Sequence, residues 1–363
     1  MSKNYIIVST LDWKSNWQIP HEVTKHLLSS DKNVLYIENT GIRSLMIKDI
    51  GRVLGRLRNF ALSAQGFKKK EKNLTIFSPL LIPFPYLNFA YKINKSIYIK
   101  SIKKWLSKND FKQTTLICFL PNPINIALID EYKFENVIYY CLDNLAQGYN
   151  DAFKITSYEK TIIKKSDLNF YTSRKLLKKN FIKDKSFYLP SGVNLKNFNL
   201  KKKQNKSGNK FKVIGYIGAV SEVFDQKLLI NIANKFRDYE FHIIGPVLTD
   251  VSSLEQIINI KFFGQVEHYK LKEYMKKFVL GIIPYKKNIY TESVYPCKLN
   301  EYLAMGIPVV STDLSEIKNI SFQNKKIFSV AKNNSSFIKK ILYEIKSDNE
   351  KKRKIIFVSQ KIY

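Results

Sequence analysis

Short runs of hydrophobic residues alternate with longer polar and charged stretches along the whole chain. Thirteen of these runs are predicted to be β-strands, and the stretches between them have the length and composition of helices. The predicted strands span residues 5–10, 33–38, 74–79, 115–120, 136–141, 168–173, 186–190, 212–218, 240–246, 260–264, 280–285, 308–313 and 326–330. Several are continuously apolar rather than alternating, as in TLICFL at 115–120. Such strands are buried on both faces, so the pattern predicts an α/β fold with parallel sheets covered by helices.

One polar, lysine-rich segment divides this pattern into two similar halves. Residues 196–210, KNFNLKKKQNKSGNK, contain almost no large aliphatic side chains and are predicted to be a linker. We therefore expect one Rossmann-like domain over residues 1–195, a second Rossmann-like domain over 211–335, and a helical segment over 336–363. A cleft between two such domains is a common place for a small ligand.

Composition narrows the class of protein. The chain has 363 residues, of which 45% are hydrophobic, enough to form buried cores. Its three cysteines, Cys118, Cys141 and Cys297, form no CxxC pair, so neither a disulfide framework nor a zinc site is predicted. The sequence shows no signal-peptide pattern and no run of the ~18–20 apolar residues that a membrane span needs. We expect a cytoplasmic protein that is not integral to a membrane.

Basic residues are abundant and locally concentrated. The formal net charge is +31, and residues 43–110 hold fifteen Lys or Arg against three Asp or Glu. A concentrated basic surface indicates an anionic partner, which could be membrane lipid, nucleic acid or a phosphorylated substrate.

Residues 44–62, SLMIKDIGRVLGRLRNFAL, have apolar residues at helical spacing with Lys48, Arg52, Arg56 and Arg58 between them. The pattern predicts a basic amphipathic helix that binds the inner face of the cytoplasmic membrane. An ordinary helix packed on the N-terminal sheet is the alternative. Residues 84–105 continue the mixture of aromatic and basic residues.

The most informative segment is 291–316, TESVYPCKLNEYLAMGIPVVSTDLSE. Pro296 suits the first turn of a helix, and Gly306 with the following proline ends it. Lys298 lies in the first helical turn, where the helix dipole is already positive, so a lysine there favours an anion such as a diphosphate. Glu301 is three residues further along the same face and could accept hydrogen bonds from a ribose diol. The alternative is an exposed ion pair between Lys298 and Glu301.

This segment resembles the donor-binding motif of family 4, or group 1, glycosyltransferases of the GT-B fold, which have two Rossmann-like domains. The resemblance implies that Lys298 contacts the donor diphosphate and Glu301 the ribose, with Pro296 and Tyr295 in the same motif. Many members have two glutamates separated by seven residues. Counting back from Glu301, the first falls at Ser293, which is therefore a donor-binding candidate, and Glu292 is its neighbour.

The resemblance extends to residues 215–229, GYIGAVSEVFDQKLL, which are similar to the opening of the donor domain. Gly218 would allow the backbone to approach the donor phosphates. Many relatives have basic residues after this glycine, whereas Glu222 and Asp225 stand here, so Lys298 is expected to supply more of the positive charge.

Two N-terminal elements resemble bacterial cell-surface polysaccharide glycosyltransferases, including the teichuronic-acid type. They are NWQIPH at 16–21 and YYCLDN at 139–144. His21 and Asp143 are the candidates for handling the acceptor, with Glu292 as a third catalytic candidate. His21 could instead cap or pack a helix, and Asp143 could be a helix N-cap.

The sequence thus predicts a hexosyltransferase-type glycosyltransferase. It would move a sugar from a nucleoside-diphosphate donor to a glycan or lipid-linked glycan during bacterial surface polysaccharide synthesis. The nucleotide sugar would be a co-substrate, and we expect no cofactor, no nucleic-acid partner and, without an Asp-x-Asp pair, no metal. The resemblance implies retention of anomeric configuration. The alternatives are a GT-B protein without transferase activity, such as a sugar-nucleotide epimerase or inactive scaffold, and a nucleic-acid-binding protein.

Overall fold

A computed structural model of the chain describes residues 3–41, 66–148, 152–198, 212–323 and 327–347. The chain divides into two compact units, Met1–Leu189 and Pro190–Tyr363. Each unit is built on one β-sheet with helices packed against it.

The first unit has an eight-stranded sheet in the order β3-β4-β2-β1-β5-β6-β7-β8. All neighbouring strands are parallel except β3 and β4, which are antiparallel. The strands are β1 Asn4–Val8, β2 Asn33–Ile37, β3 Phe67–Glu71, β4 Leu74–Phe77, β5 Thr114–Cys118, β6 Asn136–Cys141, β7 Leu168–Tyr171 and β8 Ser186–Tyr188. The helices are α1 Ile19–Ser29, α2 Asn88–Leu106, α3 Pro123–Glu131, α4 Leu145–Gly148, α5 Ile155–Lys165 and α6 Arg174–Lys179.

The second unit has a six-stranded, wholly parallel sheet in the order β11-β10-β9-β12-β13-β14. Its strands are β9 Val213–Ile217, β10 Glu240–Ile244, β11 Ile260–Phe262, β12 Phe278–Ile283, β13 Val309–Thr312 and β14 Ser329–Ala331. Its helices are α7 Gln226–Lys235, α8 Ser252–Glu255, α9 Leu271–Met275, α10 Lys298–Ala304, α11 Ser315–Gln323 and α12 Asn334–Lys346. Numbered within the unit, the strand order is that of a Rossmann sheet, with the order reversing between β9 and β12.

Both sheets are buried on their two faces, as the continuous apolar runs predict. In β1, Ile6 and Val8 belong to one hydrophobic cluster and Ile7 to another. In β9, Ile217 and Ile214 likewise face different clusters. Alternate residues of a strand point to opposite faces, so each central strand contributes to two cores. The predicted α/β class is confirmed.

All thirteen predicted strands are present, with ends that shift by a few residues. Sequence analysis missed β3, whose sequence is FKKKE and whose last four residues are exposed. This strand pairs along one side only, at the edge of the sheet. Exposed lysines on an edge strand oppose further pairing, but they also remove the hydrophobic signal by which strands are recognised.

The division between the units follows Leu189, whereas sequence analysis ended the first domain at residue 195. Contacts of the intervening residues explain the difference. The Ser191 carbonyl accepts a hydrogen bond of 2.6 Å from Asn300 Nδ2. Phe198 is fully buried in the core of the second unit. Within the predicted linker, residues 199–210 lie outside the described residues, as do 348–363 of the C-terminal segment.

Candidate functional site

The first predicted site element is the turn after β9. Gly218 has φ +131°, a backbone conformation that side chains disfavour. Its N–H donates to the Ile244 carbonyl at 2.8 Å, which fixes the turn against the next strand. A Cβ at Gly218 would lie 2.9 Å from Lys298 Nζ. The structure therefore brings together two predicted donor-binding residues that are far apart in sequence.

A second glycine, Gly245, packs directly against the backbone of this turn. Gly245 has φ +148°, and a Cβ there would lie 2.1 Å from the Gly218 carbonyl oxygen. We expect Gly245→Ala to lower the free energy of unfolding of the second unit by about 3 kcal/mol, from backbone strain and overpacking combined. Chemical denaturation measures this loss. The control is Gly264→Ala, also at positive φ (+64°) but with open space around its Cβ. An equal loss in both variants would contradict the packing argument.

Lys298 is the first residue of α10 and is held by two aromatic side chains. Its Nζ donates to Tyr285 Oη and, at 3.4 Å, to Tyr216 Oη. The ammonium also lies 4.5 Å and 4.7 Å from the centroids of the Tyr285 and Tyr216 rings. Across the residues that the structure describes, no carboxylate lies within ion-pair distance of Lys298. Its positive charge is thus positioned by neutral groups and is available to an anion.

The anchor for α10 is Tyr302, one helical turn after Lys298. The Tyr302 hydroxyl accepts from the Ile217 N–H at 2.9 Å and donates to the Gly215 carbonyl at 3.3 Å. Tyr302 is fully buried, so these bonds fix the helix against the end of β9. Because residues four apart share a helix face, this contact also sets the position of Lys298.

These residues meet where the strand order of the sheet reverses. Gly218 follows β9, and Tyr285 lies just beyond β12, its neighbour in the sheet. In open parallel sheets, the carboxyl ends of the two strands at such a reversal form a crevice that binds ligands. Tyr216 and Tyr285 were not predicted as site residues. The position of Tyr285 at the carboxyl end of a predicted strand was the signal that could have identified it.

Glu301 is paired with a histidine that sequence analysis did not single out. His268 Nε2 lies 2.8 Å from Glu301 Oε1, and both side chains are 16% exposed. The ring of Phe198 packs edge-on against His268 at 5.0 Å. The alternative ion pair between Lys298 and Glu301 is therefore not formed, since each side chain has a different partner. No local pattern indicates His268, which is distant in sequence.

The region of the family's first glutamate has a different arrangement here. Ser293 is buried, and its hydroxyl donates to the Ile289 carbonyl at 3.2 Å. Glu292 Oε2 accepts a hydrogen bond from the Ser315 hydroxyl. Its Oε1 is buried, lies 3.8 Å from Lys287 Nζ and accepts no hydrogen bond from the described residues. The catalytic role of Glu292 and the donor-binding role of Ser293 stay predictions.

Pro296 and Tyr295 occupy structural positions before α10. Both are buried, and Tyr295 Oη donates to Asn300 Oδ1 at 3.0 Å. The Pro296 carbonyl accepts from the Leu299 N–H at 2.9 Å, which forms the tight turn that begins the helix. These contacts hold the motif in shape, and direct contact of either residue with a donor stays a prediction.

In the first unit, His21 lies inside an aromatic cluster. Its ring is fully buried and stacks on Trp17 at 4.9 Å. Its Nδ1 accepts from the Gln18 N–H at 3.2 Å in the capping box of α1, and Nε2 lies 3.4 Å from Tyr36 Oη. The structure thus shows His21 capping α1 and packing against neighbouring aromatic rings, which was the alternative interpretation. A catalytic role for His21 stays a prediction.

Asp143 lies just beyond the carboxyl end of β6, as predicted. Its carbonyl accepts from the Leu145 N–H at 2.9 Å, but its carboxylate accepts no hydrogen bond from any described residue, so it is not an N-cap for α4. Asp143 is half-buried, and desolvation raises the pKa of its carboxyl to about 6. A carboxylate that has no partner among the described residues and a pKa near neutrality is suited to proton transfer.

The predicted membrane-binding residues Lys48, Arg52, Arg56 and Arg58 lie outside the described residues. In the ranges that are described, no helix combines the length and apolar character needed to cross a membrane. Over those same ranges, no three His, Cys, Asp or Glu side chains group so that they could hold a metal ion. All three cysteines are free thiols.

Comparison with known proteins finds a family match within the second unit. Residues 211–346 match the family described as glycosyl transferases group 1. These residues contain the six-stranded sheet and the Gly218, Lys298 and Glu301 positions. The resemblance predicted from the sequence is confirmed over these residues, which match the group 1 glycosyltransferase family, and the fold is GT-B.

Particular relatives agree with this class. TuaH of Bacillus subtilis strain 168, named for teichuronic acid biosynthesis, is 29% identical over 205 residues. The match covers 50% of this chain and 52% of TuaH, so the chain spans about half the length of the curated relative it matches.

Solved structures extend the likeness in fold to the whole chain. Sucrose-phosphate synthase from Thermosynechococcus elongatus has a TM-score of 0.71 at 11% identity, covering 99% of this chain and 93% of that one. WaaG, involved in lipopolysaccharide biosynthesis, has 0.65 at 10% identity, covering 98% and 95%. TarM of S. aureus, solved with UDP, has 0.62 at 13% identity, covering 99% and 96%. At these identities the likeness concerns the fold.

Proposed function

We propose that the chain is a glycosyltransferase that moves a sugar from a nucleoside-diphosphate donor to a glycan or lipid-linked glycan in bacterial surface polysaccharide synthesis. The observation that supports this most is the Lys298 ammonium beside the Gly218 turn, where the strand order reverses. A cation without a carboxylate partner in the described ranges, next to backbone that a phosphate can approach, suits a diphosphate.

The same geometry supports a mechanism for bond cleavage. As the bond from the anomeric carbon to the diphosphate breaks, negative charge develops on the leaving group. Lys298 would stabilise that charge, and its two tyrosine partners hold the ammonium in place before the reaction begins. We propose that the reaction retains anomeric configuration and needs no metal ion.

Glu301 would bind the ribose hydroxyls of the donor. Its bond to His268 leaves the second carboxylate oxygen for a ligand and fixes the direction in which the carboxylate points. Asp143 is the proposed group for acceptor handling in the first unit, because its carboxylate has a raised pKa and no described partner.

The name of TuaH supports the acceptor class. That relative belongs by name to teichuronic acid biosynthesis, a cell-surface polysaccharide pathway. We therefore propose that the acceptor is a glycan or lipid-linked glycan at the inner face of the cytoplasmic membrane. The protein would bind peripherally to that face. The solved relative TarM was crystallised with UDP, so UDP is the first nucleotide to test.

The proposal predicts that one of UDP, GDP, ADP or CMP raises the melting temperature of the wild-type protein. A ligand that binds only the folded state stabilises it by about 2.7 kcal/mol at ~100 times its Kd. We expect Glu301→Ala to reduce the shift strongly, because the ribose loses its acceptor. Differential scanning fluorimetry makes the measurement, with Glu273→Ala, an exposed glutamate of the same unit, as the control. A folded wild type that responds to none of the four nucleotides would overturn the proposal.

A further inference from the structure

A row of large apolar side chains is exposed on the first unit. Phe89, Ile93 and Ile97 of α2 are 60%, 46% and 38% exposed. Residues four apart lie on one face of a helix, so these three form a continuous row. Phe84 and Leu87, just before the helix, are 41% and 48% exposed. Isolated exposed apolar residues are ordinary, but a contiguous row indicates a binding surface.

Lysines surround this row. The exposed lysines of α2 are Lys92, Lys100, Lys103 and Lys104, and helical spacing places them on the same face as the apolar row. The helix contains five lysines in all and no aspartate or glutamate. We call Phe84, Leu87, Phe89, Ile93 and Ile97 with these four exposed lysines the α2 surface.

The opposite face of α2 is anchored in the core. Tyr98 and Ile102 are fully buried. Asn94 binds both the N–H and the carbonyl of Ile82, at 2.7 Å and 2.9 Å. The Tyr98 hydroxyl donates to Asn125 Oδ1 at 2.8 Å. These contacts fix the rotation of the helix, so the apolar row cannot turn inward to become buried.

A shallow, open pocket of about 260 Å³ lies along the side of the same helix. Its lining is Lys92, Lys95, Ser96, Ile99, Lys100 and Glu131. Three ammonium groups against one carboxylate leave a net positive charge in a space large enough for a phosphate group. Lys92 and Lys100 belong to both the pocket and the α2 surface, so anion and apolar contacts can be made together.

We propose that the α2 surface docks the first unit onto an anionic phospholipid bilayer. This inference rests on the membrane location in the proposed function and names the surface that makes the contact. The apolar row would enter the boundary between headgroups and acyl chains, while the lysines would contact lipid phosphates. A second copy of the chain fits less well, because two lysine-rich faces repel each other. Nucleic acid phosphates would pair with the lysines but would leave the isoleucines without a partner.

The test is co-sedimentation of the full chain with phosphatidylcholine vesicles, with and without phosphatidylglycerol, at low and high salt. We expect binding only with the anionic lipid and weaker binding at high salt. The combined variant Lys92→Glu, Lys100→Glu, Lys104→Glu should bind at least about tenfold more weakly. The matched control is Lys227→Glu, Lys235→Glu, Lys261→Glu, which makes the same charge change on exposed lysines of the second unit and should bind like wild type.

A second pair of variants tests the apolar contact. Phe89→Ser with Ile93→Ser should weaken vesicle binding at both salt concentrations, whereas Leu248→Ser with Ile258→Ser, exposed residues of the second unit, should not. Unchanged far-ultraviolet circular dichroism and chemical denaturation curves in all variants would show that they remain folded.

If the test and control charge variants lose vesicle binding equally, binding depends on the total charge of the protein and not on the α2 surface, which would overturn the inference. Failure of the wild-type protein to bind anionic vesicles would also overturn the inference. If that protein still responds to a nucleotide, the proposed donor site would remain supported. Binding to arbitrary DNA that the α2 variant loses, without vesicle binding, would assign the surface to nucleic acid instead.

Discussion

Replacing Lys298 with alanine is expected to lower the rate of sugar transfer by about 10²–10³-fold. The ammonium lies beside the Gly218 turn, and two tyrosines hold it there without neutralising it. Removing it leaves the developing charge of the departing diphosphate without its fixed cation. Initial rates with the donor identified by thermal shift measure the loss, and the same variant should show a weaker nucleotide-induced shift.

The matched control for this prediction is Lys261→Ala, an exposed lysine on an edge strand of the same sheet. It makes the same chemical change away from the strand reversal and should leave rate and binding unchanged. Tyr285→Phe is the graded variant, because it removes the hydroxyl bonded to Lys298 but keeps the ring beneath it. A Lys298→Ala enzyme with wild-type rate and affinity would contradict the assignment of Lys298 to the diphosphate.

Asp143→Asn is expected to lower the transfer rate by about 10²–10⁴-fold if the carboxylate moves a proton. The raised pKa of Asp143, about 6, also predicts a pH dependence. Wild-type activity should fall as the pH drops through 6 and the carboxyl becomes protonated. The asparagine variant should lack that acid limb. Rates measured from pH 5 to pH 8 test both statements.

Although Asp143→Asn is expected to lower activity, it is expected to increase the stability of the folded chain near neutral pH. The folded-state pKa of Asp143 lies above its ordinary value of 3.8, so between these values the folded chain binds more protons than the unfolded chain. Stability conferred by the protonated carboxyl is therefore lost as the pH rises from about 4 to 6. At pH 7.5 the asparagine variant should be more stable than wild type by about 1–3 kcal/mol, and the advantage should vanish near pH 4.

Chemical denaturation at the two pH values measures this difference. Asp130→Asn is the control, since Asp130 is exposed and pairs with Lys165 at 2.6 Å. A variant that gains stability but keeps full activity would show that the half-buried Asp143 carboxyl has no catalytic role. A variant that gains no stability at pH 7.5 would contradict the raised pKa.

Much of the fold follows from local sequence patterns. Continuous apolar runs determine buried parallel strands, because a strand covered on both faces cannot contain charged residues. The motif around Lys298 likewise encodes its own helix and the strand after it, and α10 and β13 are present as expected. The strand β3 escaped prediction because its identity depends on pairing with β4, while its own residues are mostly lysines.

The site depends more heavily on contacts between distant residues. Sequence spacing left an ion pair between Lys298 and Glu301 as the alternative, but the folded sheet places Tyr216 and Tyr285 around Lys298 and His268 beside Glu301. His21 illustrates the same limit, since its burial depends on rings brought in from β2 and the preceding loop.

The sequence by itself thus determined the α/β class and every described strand except β3, and it singled out Lys298 and Glu301 as candidate donor-binding residues. Tertiary structure alone decided that Gly218 and Lys298 are neighbours and that, among the described residues, tyrosines rather than a carboxylate hold the lysine and no side chain pairs with the Asp143 carboxylate. The physical reason is that hydrophobic periodicity and helix signals act over a few residues. The neighbours of a charged group are instead set by strand order, which depends on the burial of the whole sheet.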